Sequence, residues 1–244
     1  MTAPGADLLG EADLASLTPM SGIALDSNRR AHVSACVARA LARHEKASLT
    51  GLARLCRSGP GALATLRRSI LVPVTGLFRD PGQFELLGRW VLPGLLPPGG
   101  GLSAWSAGCS DGSELYSVVL MPRRLGALGG SRLIGSDVSD ERIGLARRGG
   151  VVSETVRREA RAALFWERRD LLREPAPPGA FDLVLFRNVA IYFERPAQQA
   201  VHAKLARALR RGGVLMLGQC EQLLRPALLG LAAAGPHMYR KVAE

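Results

Sequence analysis

A chain of 244 residues with 47% hydrophobic side chains has material for a substantial core, in one large domain or in a small domain joined to a medium one. The net charge of +11 arises from arginines scattered in pairs without interleaved aromatics, a poor signal for nucleic acid. No apolar run reaches the roughly 18 residues of a membrane span, and four separated cysteines without a C-x-x-C pair speak against a zinc site or a disulfide framework, so a soluble, cytoplasmic protein is expected.

The opening MTAPGADLLGEADLAS has neither a basic n-region nor an apolar h-region, so no secretory signal is expected there. From about residue 12 to 92 the spacing predicts helices. Asp26 or Ser27 caps one that carries Val33, Val37, Ala40 and Leu41, and Ser48 caps a second with Leu49, Leu52 and Leu55. A third runs through Leu63, Leu66 and Ile70. Asp80 as N-cap, with Pro81 at the first helical position, opens a fourth that buries Phe84, Leu87 and Val91. The run LPPGGG, residues 96–101, reads as a linker or sharp turn.

Beyond it, strand-like runs at Leu102–Ser106, Arg132–Ser136, Asp182–Phe186 and Val214–Leu217 alternate with helical segments at Ser113–Leu120, Asp140–Arg147 and Ala197–Leu209. That alternation predicts βαβ units and a mostly parallel sheet. The expected organisation is a helical domain over residues 1–95, linker included, and an α/β domain over 96–244. Pro122 is expected to end or kink the helix that follows the glycine loop. Trp90, Trp105 and Trp166 read as core or sheet-covering residues. Val156, Ala160, Ala163 and Leu164 read as one amphipathic helix with arginines on its other face.

Ligands of a parallel sheet bind beyond the carboxyl ends of its strands. Gly108 and Gly112 of AWSAGCSDGSELYS lie just past the first of these strands, where glycine lets the backbone come close to a ligand. GCSDG is neither G-x-G-x-x-G nor a P-loop, so a pyrophosphate grip is disfavoured. Asp137 ends the second strand, where an acid either receives both ribose hydroxyls of a nucleoside or only caps the next turn. A loop with no phosphate grip, paired with a ribose-binding acid, fits S-adenosylmethionine.

WSAGCSDGSELYS, GSDVSDERIGLARRG, FDLVLFRNVAIYF and LARALRRGGVLMLGQCEQL, in that order, resemble the CheR-type chemotaxis receptor methyltransferases. SGIALDSNRRAHVSACVARALAR resembles the amino-terminal helical domain of that family, and VPVTGLFRDPGQFELL its T-x-F-F-R-D segment. The resemblance spans nearly the whole chain. It implies a small helical domain followed by a class I S-adenosylmethionine-dependent, Rossmann-like methyltransferase domain. The activity it implies is carboxyl O-methylation of glutamates on a chemoreceptor or related signalling protein, with S-adenosylhomocysteine as the other product.

Matched to the family's motifs, Thr75 and Arg79 lie against the cofactor and the reaction centre, and Glu114 contacts the amino-acid end of the cofactor. Asp137 holds the ribose, Asp170 and Leu171 stand beside the adenine, and Asn188 and Val189 bound the cofactor from the fourth strand. Tyr192 faces the transferring methyl, and Arg79 steers the incoming carboxylate. A carboxylate is already ionised at neutral pH, so the reaction needs no general base, in keeping with motifs that hold none of the four histidines.

The family pattern is altered at several places. Ser113 and Leu115 stand in the loop where an acid and a proline are usual, Pro73 where an asparagine is, Leu77 for a phenylalanine, and Asp170 for an asparagine. The small β-subdomain usual between the A-R-x-G helix and the next strand is missing. Its loss favours a second reading, a methyltransferase acting on a small molecule or peptide of specialised metabolism. The altered loop keeps open a third, a module that binds cofactor or partner without catalysis. A nucleic-acid methyltransferase ranks last, since no N/D-P-P-Y-type segment stands at FRNVAIYF.

Overall fold

The computed structural model describes residues 9–21, 23, 25, 30–44, 48–58, 60–70, 75–96, 100–124, 128–177 and 181–243. Asp26, Ser27, Pro73 and the Pro97–Gly99 part of the proposed linker lie outside the described residues. Packing divides the chain into two units: residues 1–74 with 192–197, and residues 75–191 with 198–244. The second unit therefore begins at Thr75, and residues 75–95, which the sequence reading grouped with the helices, pack with the sheet.

The first unit contains α1 (Glu11–Ser21), α2 (Arg30–Arg43), α3 (Leu49–Ser58) and α4 (Pro60–Ile70). Six of the residues predicted to face inward are buried, while Leu41, Leu49, Leu55 and Leu63 are only partly so. Val33, Val37, Ala40, Leu52, Leu66 and Ile70 form a core with Leu17, Ile23 and Leu25. Ser48 caps α3 as expected, its hydroxyl accepting from the Gly51 N–H at 3.2 Å.

The second unit is built on a seven-stranded sheet of order β3-β2-β1-β4-β5-β7-β6. The strands are β1 (Ser103–Ala107), β2 (Arg132–Asp137), β3 (Leu164–Arg168), β4 (Phe181–Phe186), β5 (Leu209–Leu217), β6 (Leu231–Gly235) and β7 (Met238–Lys241). β3, β2, β1, β4 and β5 run parallel, while β7 is antiparallel to both β5 and β6. β4 is buried along its whole length, as a central strand covered on both faces must be. Chain order reverses between β1 and β4, so a crevice opens outside their carboxyl ends. This is a Rossmann-like sheet, parallel except for the β6–β7 hairpin at one edge.

Helices α5 (Pro81–Leu86) and α6 (Leu92–Leu95) are joined by a π-helical turn at Leu87–Val91. Phe84, Leu87, Val91, Leu92 and Leu95 enter the same core as β1, β2 and β4. α7 (Ser113–Arg124), α8 (Asp140–Arg148), α9 (Glu154–Ala160) and α10 (Arg195–Ala208) complete the α-helices among the described residues.

Several expectations change. The helix expected through Leu164 stops at Ala160. Ala163 and Leu164 are buried because they enter β3, whose pairing to β2 begins beside them. The spacing of four apolar residues matched a helix, but inter-strand bonding took the last two. Pro122 does not end its helix, which continues to Arg124. Trp105 is fully buried, with its indole N–H on Ser136 Oγ at 2.8 Å, and Trp166 packs against the core. Trp90 is 68% exposed, with the Arg89 guanidinium 5.2 Å from its ring centroid, so it covers no sheet. Asp80 does not cap α5 with its side chain; its backbone is left-handed (φ 59°) and its carboxylate is taken by an arginine. Among the described residues no helix is long and apolar enough to cross a membrane.

Candidate functional site

Five described non-glycine residues have positive φ: Phe78, Asp80, Ser110, Asn188 and His237. Such backbone is uncommon and is held only where its surroundings over-determine it. The first four lie in three segments: the approach to α5, the loop after β1 and the turn after β4.

The loop after β1 is pinned from two sides. The N–H groups of Gly108 and Cys109 both donate to the Ser136 carbonyl, at 2.8 and 2.9 Å. Asp137 Oδ2 accepts from Ser110 N–H at 2.9 Å and Oδ1 from Ser139 N–H at 2.9 Å. Asp137 is thus a brace between β2 and the glycine loop, while the cap of α8 is Ser139. Each carboxylate oxygen keeps a further lone pair for a hydroxyl donor. Gly108 has φ +85°, and a Cβ there would come within 2.5 Å of Val189 Cγ2, so only glycine lets the two loops meet.

The turn after β4 is organised by Arg187, a residue whose role the sequence reading missed. Its side chain is 2% exposed. One guanidinium nitrogen donates to the Arg79 carbonyl at 2.7 Å, to Asp80 Oδ2 at 2.8 Å and to Gln83 Oε1 at 3.0 Å. Another reaches Glu114 Oε2 at 3.2 Å, and the group lies 4.9 Å from the Phe84 ring centroid. Gln83 in turn donates to the carbonyl of Leu217, at the end of β5. Phe78 N–H donates to Ser117 Oγ at 2.8 Å, anchoring the same segment to α7. The signal for this cluster was a charged residue directly after a strand that is buried along its whole length, a place where burial forces a charge into ion pairs.

Glu114, in the first turn of α7, also accepts from Ser106 Oγ at 2.7 Å. Burial pushes its carboxyl above the ordinary range, against the pull of Arg187 and Ser106. Asp137 is raised as well, again by burial, and its backbone donors oppose that shift. Burial and the nearby acids Asp137 and Glu114 push the Cys109 thiol well up, so it stays protonated and is no nucleophile.

Asp170 and Leu171 follow β3 in a tight turn beside Asp137, whose carbonyl receives Arg169 N–H at 2.9 Å. Asp170 Oδ1 accepts from Leu172 N–H at 2.9 Å, and Lys204 Nζ donates to the Leu171 carbonyl. Hydrogen bonds and close packing therefore join Gly108, Glu114, Asp137, Asp170, Leu171, Asn188, Val189 and the Arg79 backbone along one sheet edge. Thr75 is half-buried at the start of the same unit. Tyr192 belongs with the helical unit, its ring 5.3 Å from that of His32. None of the residues matched to the cofactor or the acceptor is a histidine, yet the fold sets His32 against this tyrosine, and His32 Nε2 donates to the Ile70 carbonyl at 2.8 Å.

The family described as "CheR methyltransferase, SAM binding domain" matches residues 73–158 and 151–229. The chain belongs to the CheR methyltransferase family. It is 34% identical over 194 residues to a chemotaxis protein methyltransferase of Listeria innocua, covering 70% of this chain and 74% of that one. To chemotaxis protein methyltransferase 1 of Pseudomonas aeruginosa it is 29% identical over 234 residues, covering 83% and 85%. The solved structure of PKMT2 from Rickettsia typhi in complex with AdoHcy aligns with a TM-score of 0.43 and 16% identity, over 59% of this chain and 26% of that one.

This CheR-family chain is an S-adenosylmethionine-dependent methyltransferase. The described residues fit that cofactor. Among the described residues Ser110 Oγ, buried beside Asp137, has no hydrogen-bond partner, as expected of a hydroxyl that meets a ligand. Acids stand at Asp137, Glu114 and Asp170, matching a ligand rich in donors: ribose hydroxyls, an ammonium and an adenine amine.

Proposed function

We propose that this protein transfers a methyl group to glutamate side chains of a chemoreceptor or related signalling protein, forming methyl esters. The observation that carries the reading is the Arg187 cluster. The two segments most particular to the family resemblance, the T-x-x-F-R-D block (Thr75–Asp80) and the RN-x-x-IYF block (Arg187–Phe193), meet through this arginine, which bonds the Arg79 carbonyl and the Asp80 carboxylate. The names and lengths of the Listeria and Pseudomonas relatives support the same acceptor class.

When bound, S-adenosylmethionine supplies an electrophilic methyl on a positively charged sulfur. In the proposed arrangement the open lone pairs of Asp137 receive the ribose hydroxyls and Glu114 faces the ammonium. Asp170 accepts from the adenine amine, a role an ionised carboxylate fills although it cannot donate. Asn188, Val189 and Leu171 line the remaining sides, and Thr75 closes the edge next to Arg79. Arg79 orients the acceptor carboxylate by a charge-assisted hydrogen bond. A glutamate with an ordinary pKa near about 4.3 is already anionic, so no residue need take its proton. Held by Asp137, Glu114 and Asp170, the cofactor would supply its methyl to one carboxylate oxygen of the acceptor and would be left as a neutral thioether. Opposite charges vanish together, so a site shielded from water favours the step, and the chain contributes orientation and proximity.

A second reading, methylation of a small carboxylate or peptide, is favoured by one observation. Residues 151–163, all described, hold only the seven-residue α9 and no strand. The deciding experiment supplies cofactor together with the cytoplasmic segment of a chemoreceptor from the same organism and maps modified peptides by mass spectrometry. Added methyl groups on glutamates are expected. An unmodified receptor, with small carboxylates methylated in its place, would move the assignment to the second reading.

A further inference from the structure

The turn after β4 is gripped by an acid to which no role in the site has been given. Glu221 lies in GQCEQL beyond the end of β5 and is 5% exposed. Its Oε2 accepts from Asn188 N–H at 2.7 Å and from Gly218 N–H at 2.9 Å, and its Oε1 accepts from Val189 N–H at 3.0 Å. Three backbone donors on one buried carboxylate make charge-assisted bonds of the stronger kind. They hold Asn188 in left-handed backbone (φ 60°) and set Val189 against Gly108, where a Cβ would come within 2.5 Å of Val189 Cγ2. Gly218 leaves room for the grip, since a Cβ there would lie 2.8 Å from Glu221 Oε2 and 2.9 Å from Asn188 N. His237 Nδ1 donates to the Glu221 carbonyl at 2.8 Å and fixes the acid from behind.

We infer that Glu221 is a positioning residue for methyl transfer: it sets the Asn188–Val189 turn, and through Val189 the glycine loop, in the arrangement that receives the cofactor. The inference rests on the S-adenosylmethionine reading of the site. Glutamate suits the role because both of its oxygens accept, whereas a glutamine amide presents an N–H to a donor that then has no acceptor.

The test uses the whole protein and reads two quantities, amide hydrogen exchange without ligand and calorimetric affinity for S-adenosylhomocysteine. In the wild type the amides of Asn188, Val189 and Gly218 are expected to exchange slowly; unprotected amides would overturn the inference at once. Glu221→Gln is expected to speed exchange at Asn188 and Val189 and to weaken binding by about tenfold, the loss of one such bond. Gly218→Ala, which leaves the carboxylate in place but crowds it, should do the same. Thermal midpoints close to that of the wild type would show that the loss is local. Unchanged affinity in a folded variant, whether or not exchange quickens, would overturn the positioning role and leave the cofactor site intact. Wild-type protein that fails to bind S-adenosylhomocysteine would instead overturn the cofactor reading, and this inference with it.

Discussion

Replacing Arg187 by methionine keeps a long side chain against Phe84 but removes a cation shared by Asp80, Gln83, Glu114 and the Arg79 carbonyl. The arginine is 2% exposed and Glu114 14%, so the acid is left in a nearly dry place without its counter-charge. Breaking a buried pair from one side costs about 3–5 kcal/mol, and for a chain of this length that corresponds to a midpoint lowered by about 10 °C or more. The cost depends on pH with a definite sign. Burial already raises Glu114 above its ordinary 4.5, and without Arg187 it rises further. Between 4.5 and that higher value the folded variant holds a proton that the unfolded chain releases, so its stability falls as pH rises. The wild type loses less across the same window, and the gap between them therefore widens from acid toward neutral pH.

Urea unfolding followed by tryptophan fluorescence suits the measurement, because Trp90, Trp105 and Trp166 all fall in the sheet-containing unit. The double variant Arg187→Met with Glu114→Gln should recover much of the loss. A gap that stays constant with pH, or a double variant as unstable as the two single losses added, would refute the ion-pair account.

Asp137→Ala should leave the protein folded and lower the affinity for S-adenosylhomocysteine by about 100-fold or more, two hydroxyl bonds to a charged acceptor being worth about 1.5–3 kcal/mol each; unchanged affinity in calorimetry would defeat the ribose assignment. Burial raises both Glu114 and Asp137, and in the proposed arrangement each would bind the cofactor as the anion, so affinity should be full above their raised values and fall as pH drops through them. A dissociation constant that stays flat from about pH 8 to about pH 5 would contradict that pairing. Arg79→Ala should cut turnover by about 100-fold while changing S-adenosylhomocysteine affinity by less than about threefold; equal losses would make Arg79 a cofactor ligand alone.

The helical core and four of the parallel strands were legible because their apolar spacing is strong and their turns carry glycine or proline. β3 was not, because Ala163 and Leu164 continue the helical spacing of Val156 and Ala160 until strand pairing with β2 claims them. The β6–β7 hairpin was missed for a different reason: LAAAG has little of the β-branched or aromatic character that marks a strand, and its burial comes only from joining the sheet edge. Asp137 was read as either ribose acceptor or turn cap, and the structure adds a third duty, holding the Ser110 amide. Asp80 looked like a helix cap, and local sequence could not show that an arginine 107 residues away would take its carboxylate. Arg187 and Glu221 escaped notice because each acts on residues far along the chain, where spacing carries no information. Both stand at the ends of strands too buried to leave a charge unpaired, and that is the signal that would have found them.

The central claim is that methyl groups end on carboxylate oxygen. After reaction of the chemoreceptor segment with methyl-labelled cofactor, mild alkali separates esters from methylated nitrogen or sulfur, because only the ester releases methanol. The account predicts that nearly all protein-bound label becomes volatile, and that Glu→Gln changes at the acceptor sites remove it. Label that stays on the protein through alkali would contradict carboxyl methylation by this site.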